Sequence, residues 1–131
     1  MCINEGIQAV FGPLSHQIMY VKGVLAKAKG NHLEAKQMLM DAISINPKHA
    51  KALQQLGHTF YLLGNHLAAD KYLRDSLNVD ATFHETWSTM GLVLDAMGDN
   101  ERAFDCHSIA LQLEASSPVL PFNIISRAVL D

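Results

Sequence analysis

A chain of 131 residues has room for one ordinary domain, which excludes a multidomain enzyme. Hydrophobic residues make up 49% of it, with eight glycines and four prolines, so neither disorder nor a fibrous chain fits; ten Lys and Arg against thirteen Asp and Glu leave a formal charge of −3, without the basic excess that nucleic acid binding needs. Cys2 and Cys106 are too few for a disulfide scaffold or a Cys-rich zinc module, and no apolar run is long enough to cross a bilayer. A soluble, cytoplasmic chain with no direct membrane insertion is therefore expected.

The elements follow from four ladders that share a 34-residue step: Gly23, Gly57 and Gly91; Gly30, Gly64 and Gly98; Ala35, Ala69 and Ala103; and the small residues Ala42, Ser76 and Ala110. In chain order, residues 3–12 ahead of Pro13 read as an orphan helix left from a preceding repeat. Helix pairs are expected at 16–29 and 33–46, 50–63 and 67–80, and 84–97 and 101–115. They make three repeats, 16–49, 50–83 and 84–117, within a single domain spanning 1–131.

Each first helix ends at Gly30, Gly64 or Gly98, where a left-handed residue closes the last turn. Asn31, Asn65 and Asp99 follow as N-caps, with Asn31 and Glu34 at capping-box spacing. Pro47 belongs to the end of the first repeat, whereas Ala81 and Ala115 stand in its place later and weaken helix termination there. Gly23, Gly57 and Gly91 fall in mid-helix, where glycine costs about 1 kcal/mol relative to alanine. Close approach of the partner helix is the expected compensation, with Ala35, Ala69 and Ala103 facing them. Ser116-Ser117-Pro118 can start a terminal element, and 118–131 read as a C-terminal cap or tail. Its apolar residues Val119, Leu120, Phe122, Ile124 and Ile125 are expected either to fold back over the last hairpin or to serve as a partner's docking strip, capping being favoured.

Leu53-x2-Leu56-Gly57-x2-Phe60, followed by Ala69 and the 34-residue step, resembles the tetratricopeptide (TPR) signature. Trp87, Met90, Gly91 and Leu94 repeat it, as do Met19, Lys22, Gly23 and Ala26, with Lys22 departing from the apolar pattern. The resemblance implies an all-α fold: a right-handed superhelix of three TPR helix hairpins, with a flanking N-terminal helix and a C-terminal capping segment.

No common catalytic or phosphate-binding motif is present, so no catalytic, cofactor-binding or metal-binding residues are expected. His32 and His66 hold equivalent places one repeat apart, too far to share an ion, and read as solvated turn histidines. Cys106 and His107 are helical neighbours that point in different directions. Asp99 reads as a cap, and Asp70, Asp75 and Asp80 as a solvated face.

What remains is a surface. In stacked helix pairs the first helix of each pair lines the concave side, which places Gln17, Val24, Lys27, Glu85, Ser88 and Asp95 there together with Tyr20, Lys51, Gln54, His58, Tyr61, Leu62 and Leu92, the last seven assigned to a partner-binding groove. Tyr20, Tyr61 and Leu92 equally suit packing between repeats. Repeats that grip C-terminal chaperone peptides use a basic carboxylate clamp; Tyr20, Val24, Gln55, Glu85 and Thr89 stand at those positions here, and Glu85 opposes such a ligand.

Longer words are more specific. Leu14-Ser15-His16 leading to Tyr20 and Gly23, Leu73-Arg74-Asp75, His84-Glu85 with Trp87, and the run from Leu113 to Phe122 followed by Ile124, Ile125 and Arg127 resemble the C-terminal repeat region of the tetratricopeptide repeat protein 7 family. That resemblance implies a non-catalytic adaptor in a longer protein, one that assembles and localises a complex of phosphatidylinositol 4-kinase type III alpha and a hyccin-family subunit at the plasma membrane. A stand-alone adaptor that binds a short cytosolic peptide in its groove is the rival expectation.

Overall fold

The structure, a computed structural model, describes residues 15–116. Among these residues are six helices and no strands: α1 (Ser15–Ala28), α2 (His32–Ile45), α3 (Ala50–Leu62), α4 (His66–Val79), α5 (His84–Ala96) and α6 (Asn100–Ala115). Each end lies within one residue of its place in the sequence reading. The expected helix at 3–12 and the terminal segment 118–131 lie outside the described residues.

The tight turns form as the ladders require. Gly30, Gly64 and Gly98 have φ of 83°, 87° and 88°, a region that residues with a Cβ avoid. That conformation lets the N–H of Asn31, Asn65 and Asp99 each reach back 2.9 Å to the carbonyl of Ala26, Phe60 or Leu94, and so closes the preceding helix. The same three residues open the next helix: their side-chain oxygens accept from the N–H of Glu34, Ala68 and Arg102 at 3.4, 3.2 and 3.2 Å. Asn31 Nδ2 also donates to Glu34 Oε2 at 2.7 Å, so this box closes between side chains.

Connections between hairpins differ from one another. His49 Nδ1 accepts from Ala52 N at 3.1 Å and caps α3, a role its sequence position does not advertise. Without a proline at 81, α4 still stops at Val79, because Asp80 Oδ1 accepts from both Thr82 N at 2.9 Å and Thr82 Oγ1 at 2.6 Å. Asp80 is thus a turn residue and not part of a solvated helical face. Where Ala115 replaces proline, α6 runs for 16 residues against 14 in α2 and α4.

Packing explains the mid-helix glycines and corrects their partners. A methyl group on Gly57 would lie 2.6 Å from Leu73 Cγ and 3.3 Å from the Ala69 carbonyl oxygen; on Gly23 it would lie 2.7 Å from Leu39 Cγ and 3.4 Å from the Ala35 oxygen. The space is filled by a leucine one turn beyond each alanine, and the alanine allows the approach by presenting only backbone. In the third hairpin His107 takes the leucine's place, with Nδ1 2.7 Å from where a Gly91 methyl would sit.

Two clusters form the core. Leu39, Ala42, Ala52 and Leu56 make one, and Leu73, Met90, Val93, Leu94 and Cys106 belong to the other. Phe60 packs against both and stacks on Tyr72 at 5.4 Å. Ser76 donates to the Ala50 carbonyl at 2.9 Å and lies 3.0 Å from Thr86 Oγ1, so the one polar member of the small-residue ladder ties α4 to its hairpin partner α3 and to α5 of the next hairpin. Beyond sequential packing, the backbones of α1 and α3 and of α3 and α5 approach one another, whereas those of α2, α4 and α6 stay farther apart. The first helices therefore form the inner, concave side.

Candidate functional site

A cleft of about 510 Å³ opens on the inner side. From α1 it takes Lys27; from α3, Gln54, Gln55 and His58; from α5, His84, Glu85, Ser88 and Thr89; and from the second half of α6, His107, Ala110, Leu111 and Glu114. The polar residues sit on a hydrogen-bonded frame. Gln54 Nε2 donates to Thr89 Oγ1 at 2.9 Å, and that hydroxyl donates to the Glu85 carbonyl at 2.9 Å, pinning α3 to α5. The other amide atom, Gln54 Oε1, is buried and accepts no hydrogen bond among the described residues.

At the α1 end, Lys27 donates to Gln55 Oε1 at 2.8 Å and meets His58 Nδ1. Burial lowers the Lys27 pKa, opposed by the attraction of Glu85. His58 is pushed down to about 4, first by burial and then by repulsion from Lys27 and His32, so its imidazole is neutral and its Nδ1 is free to accept from the lysine. At the opposite end, His107 Nε2 lies 3.3 Å from Asp95 Oδ2.

The residues read from sequence divide into three groups. Gln54 and His58 line the cleft, with Lys27, Glu85 and Ser88 beside them. Tyr20 and Tyr61 instead pack inward. Tyr20 lies against the Leu39–Leu56 cluster with its ring 4.8 Å from His49, and Tyr61 lies against the Leu73 cluster, stacked over His58 at 6.1 Å. Lys51 is exposed on α3, and Leu62 and Leu92 are 44% and 38% exposed; none of the three reaches the cleft. Val119, Leu120, Phe122, Ile124 and Ile125 lie outside the described residues.

Sequence reasoning assigned the groove to first helices alone and so missed α6. One signal marks it: the ladder Leu39, Leu73, His107 switches from a core leucine to a titratable ring in the last repeat. His32 and His66 also differ from their reading as solvated. Each is half-buried, with an Nδ1 that is enclosed and without a hydrogen-bond partner among the described residues. Asp70 and Asp75 pair along α4 with Arg74 at 2.9 Å and Lys71 at 3.1 Å. Cys106 is a core residue whose thiol pKa burial raises, and it faces away from the cleft that His107 lines. Among the described residues no three His, Cys, Asp or Glu side chains are placed to hold a metal ion, and no helix is long and apolar enough to cross a membrane.

The sequence profile described as Tetratricopeptide repeat matches residues 16–49 and 50–83, more than half of the chain. The chain belongs to the tetratricopeptide repeat family. Among curated proteins, this TPR chain is similar to Tetratricopeptide repeat protein 7A of Homo sapiens, 47% identical over 126 residues, which is 96% of this chain and 14% of the relative. Tetratricopeptide repeat protein 7B of Homo sapiens is 41% identical over 117 residues, 89% of this chain and 14% of that protein. The TPR chain thus spans about a seventh of the length of these relatives. Among solved structures it superposes on MamA with a TM-score of 0.71 at 23% identity, over 81% of this chain and 62% of that one. The first TPR of Spaghetti (RPAP3), solved bound to the HSP90 peptide SRMEEVD, gives 0.74 at 16% identity, over 89% and 94%. At these identities the likeness is one of fold.

Proposed function

We propose that this TPR chain is a non-catalytic interaction scaffold whose inner groove receives a segment of a protein partner. The observation that carries this reading is the cleft itself: a 510 Å³ concavity lined by hydrogen-bonding side chains from four helices, held rigid by the Gln54–Thr89 bridge. Such a wall of amides, hydroxyls and imidazoles suits a polypeptide with its own polar groups, and nothing in it assembles a nucleophile with a base. Lys51, Leu62 and Leu92 extend the same inner side as its exposed rim.

Similarity to tetratricopeptide repeat proteins 7A and 7B supports a finer reading. The chain acts within an assembly of phosphatidylinositol 4-kinase type III alpha and a hyccin-family subunit recruited peripherally to the plasma membrane, and it contacts the hyccin-family subunit. The competing reading, an adaptor for short cytosolic peptides, is favoured by the groove and by the peptide-bound Spaghetti repeat of the same fold. Immobilised chain exposed to purified hyccin-family subunit, to the kinase and to a peptide library separates them. Retention of the hyccin-family subunit, weakened by His58→Ala with Gln55→Ala, supports the assembly reading; retention of library peptides alone supports the adaptor. Retention of neither overturns both.

A further inference from the structure

We propose that the groove is charge-polarised and takes a partner segment of segregated charge in one orientation, its basic block over α5 and α6 and its acidic block over α1 and α3. The proposal rests on the groove reading above and adds the chemistry and direction of the occupant.

The 34-residue step makes the polarity visible at equivalent positions. Lys51 on α3 becomes Glu85 on α5, and Lys27 on α1 becomes Asp95 on α5, two repeats later. The residues from 15 to 116 follow the same trend. Residues 15–62 carry six lysines against Glu34 and Asp41, whereas residues 63–116 carry nine Asp and Glu against Lys71, Arg74 and Arg102.

Charges on α4 and those in the groove are treated differently. On α4 they are neutralised along the helix, Lys71 by Asp75 and Arg74 by Asp70. In the cleft, Lys27 is held by the neutral Gln55 and His58, and Glu85 and Glu114 belong to none of the ion pairs within 4 Å among the described residues. Glu85 lines the same cleft as Lys27, and its negative charge favours the charged form of that lysine. Charges left unpaired along a concave wall are complementary to a ligand that supplies the opposite signs in the opposite order.

Distance makes the order readable. Neighbouring packed helices lie about 8–10 Å apart, close to the screening length of about 8 Å at physiological salt, so each part of the ligand feels mainly the helix beneath it. A uniformly acidic or basic segment meets repulsion at one end of the groove, and the polarity thereby acts against such partners as well as for the right one.

The test uses the full 131-residue chain and two synthetic peptides of identical composition, one with a glutamate block, a Gly/Ser spacer and a lysine block, the other with the charges alternating. A photo-cross-linking residue sits beside the lysine block. The block peptide is expected to bind roughly two- to fivefold tighter, the range of a few exposed ion pairs, with the difference vanishing at high salt. Its lysine end is expected to cross-link to α5 or α6, and the exposed pair of swaps Lys51→Glu with Glu85→Lys is expected to move that cross-link to α3. Equal binding of the two peptides, or a cross-link that ignores the swap, overturns the polarity while leaving the groove reading intact. Cross-links confined to α2 and α4 overturn the groove reading and the polarity with it.

Discussion

Gly57 and Gly64 are both invariant members of their ladders, yet different forces hold them. At Gly57 the obstacle is Leu73, whose fully buried Cγ lies 2.6 Å from where a methyl would go; at Gly64 nothing lies within 4 Å and the obstacle is a φ of +87°. Gly57→Leu is expected to destabilise the chain by about 1–3 kcal/mol through overpacking, read as a lower urea midpoint. The milder Gly57→Ala is expected to lose most of its cost in a Leu73→Ala background, because the truncated neighbour vacates the contested space. Gly64→Ala is expected to cost about 1–2 kcal/mol in either background, since left-handed strain has no neighbour to relieve it. Equal costs for Gly57→Ala in both backgrounds would exclude Leu73 as the reason for the glycine.

His58 makes a second prediction at this scale. Its folded pKa of about 4 lies below the ordinary 6.5, through burial first and then Lys27 and His32. Between these values the unfolded chain binds the extra proton, so stability rises with pH there. The His58 contribution is fully present above about pH 6.5 and is lost as pH falls towards 4, and His49, also lowered by burial, adds in the same direction. Denaturant midpoints measured across that window are expected to fall with acidification, and His58→Gln is expected to flatten the fall. An unchanged slope in that variant would assign the acid sensitivity elsewhere.

At the scale of the element, each hairpin turn is a two-residue device in which one residue ends a helix and the next begins another. Asn65 does both: its N–H binds the Phe60 carbonyl at 2.9 Å and its side chain accepts from Ala68 N at 3.2 Å. Asn65→Ala leaves the backbone bond and removes the cap, and a loss of about 1 kcal/mol is expected. Asn65→Asp keeps the acceptor and adds a charge favourable to the start of α4, so it is expected to hold the midpoint or raise it slightly. A loss equal to that of Ala would show that the side-chain bond contributes nothing. The Asx–helix logic was open to inspection in the sequence, because capping needs only residue type and spacing. His49 was not, because its capping bond depends on a rotamer held beside Tyr20 and His16.

For the whole molecule the question is how the stack ends. Ile43 and Leu77 pack against the core clusters; their equivalent in the last repeat, Leu111, is 66% exposed, and Phe104, two turns earlier on the same helix, is 70% exposed. Apolar surface of that kind needs a cover, and the segment that follows carries Val119, Leu120, Phe122, Ile124 and Ile125. Deleting residues 117–131 is expected to lower the denaturant midpoint and promote self-association seen in sedimentation. A truncated chain that stays monomeric and equally stable but no longer retains its partner would instead make the tail the docking strip.

Periodic residue types alone determined the helices, their turns and their pairing. A left-handed glycine, a capping Asn or Asp and a mid-helix glycine each impose a local condition that few other residues meet. The inner side of the stack followed from the same period, because every repeat is built alike. The cleft did not follow, because it arises where the repeats stop being alike: at His107 in place of a leucine, at Gln54 bonded to Thr89 across two repeats, and at an α6 whose second half has no described helix stacked over it. Likewise Tyr20 and Tyr61 share the pattern of groove residues, but only packing decided that their rings turn inward against the core. Local sequence rules settle backbone conformation because its interactions are short in sequence; the cleft depends on side chains dozens of residues apart, and only the folded arrangement decides which of those meet.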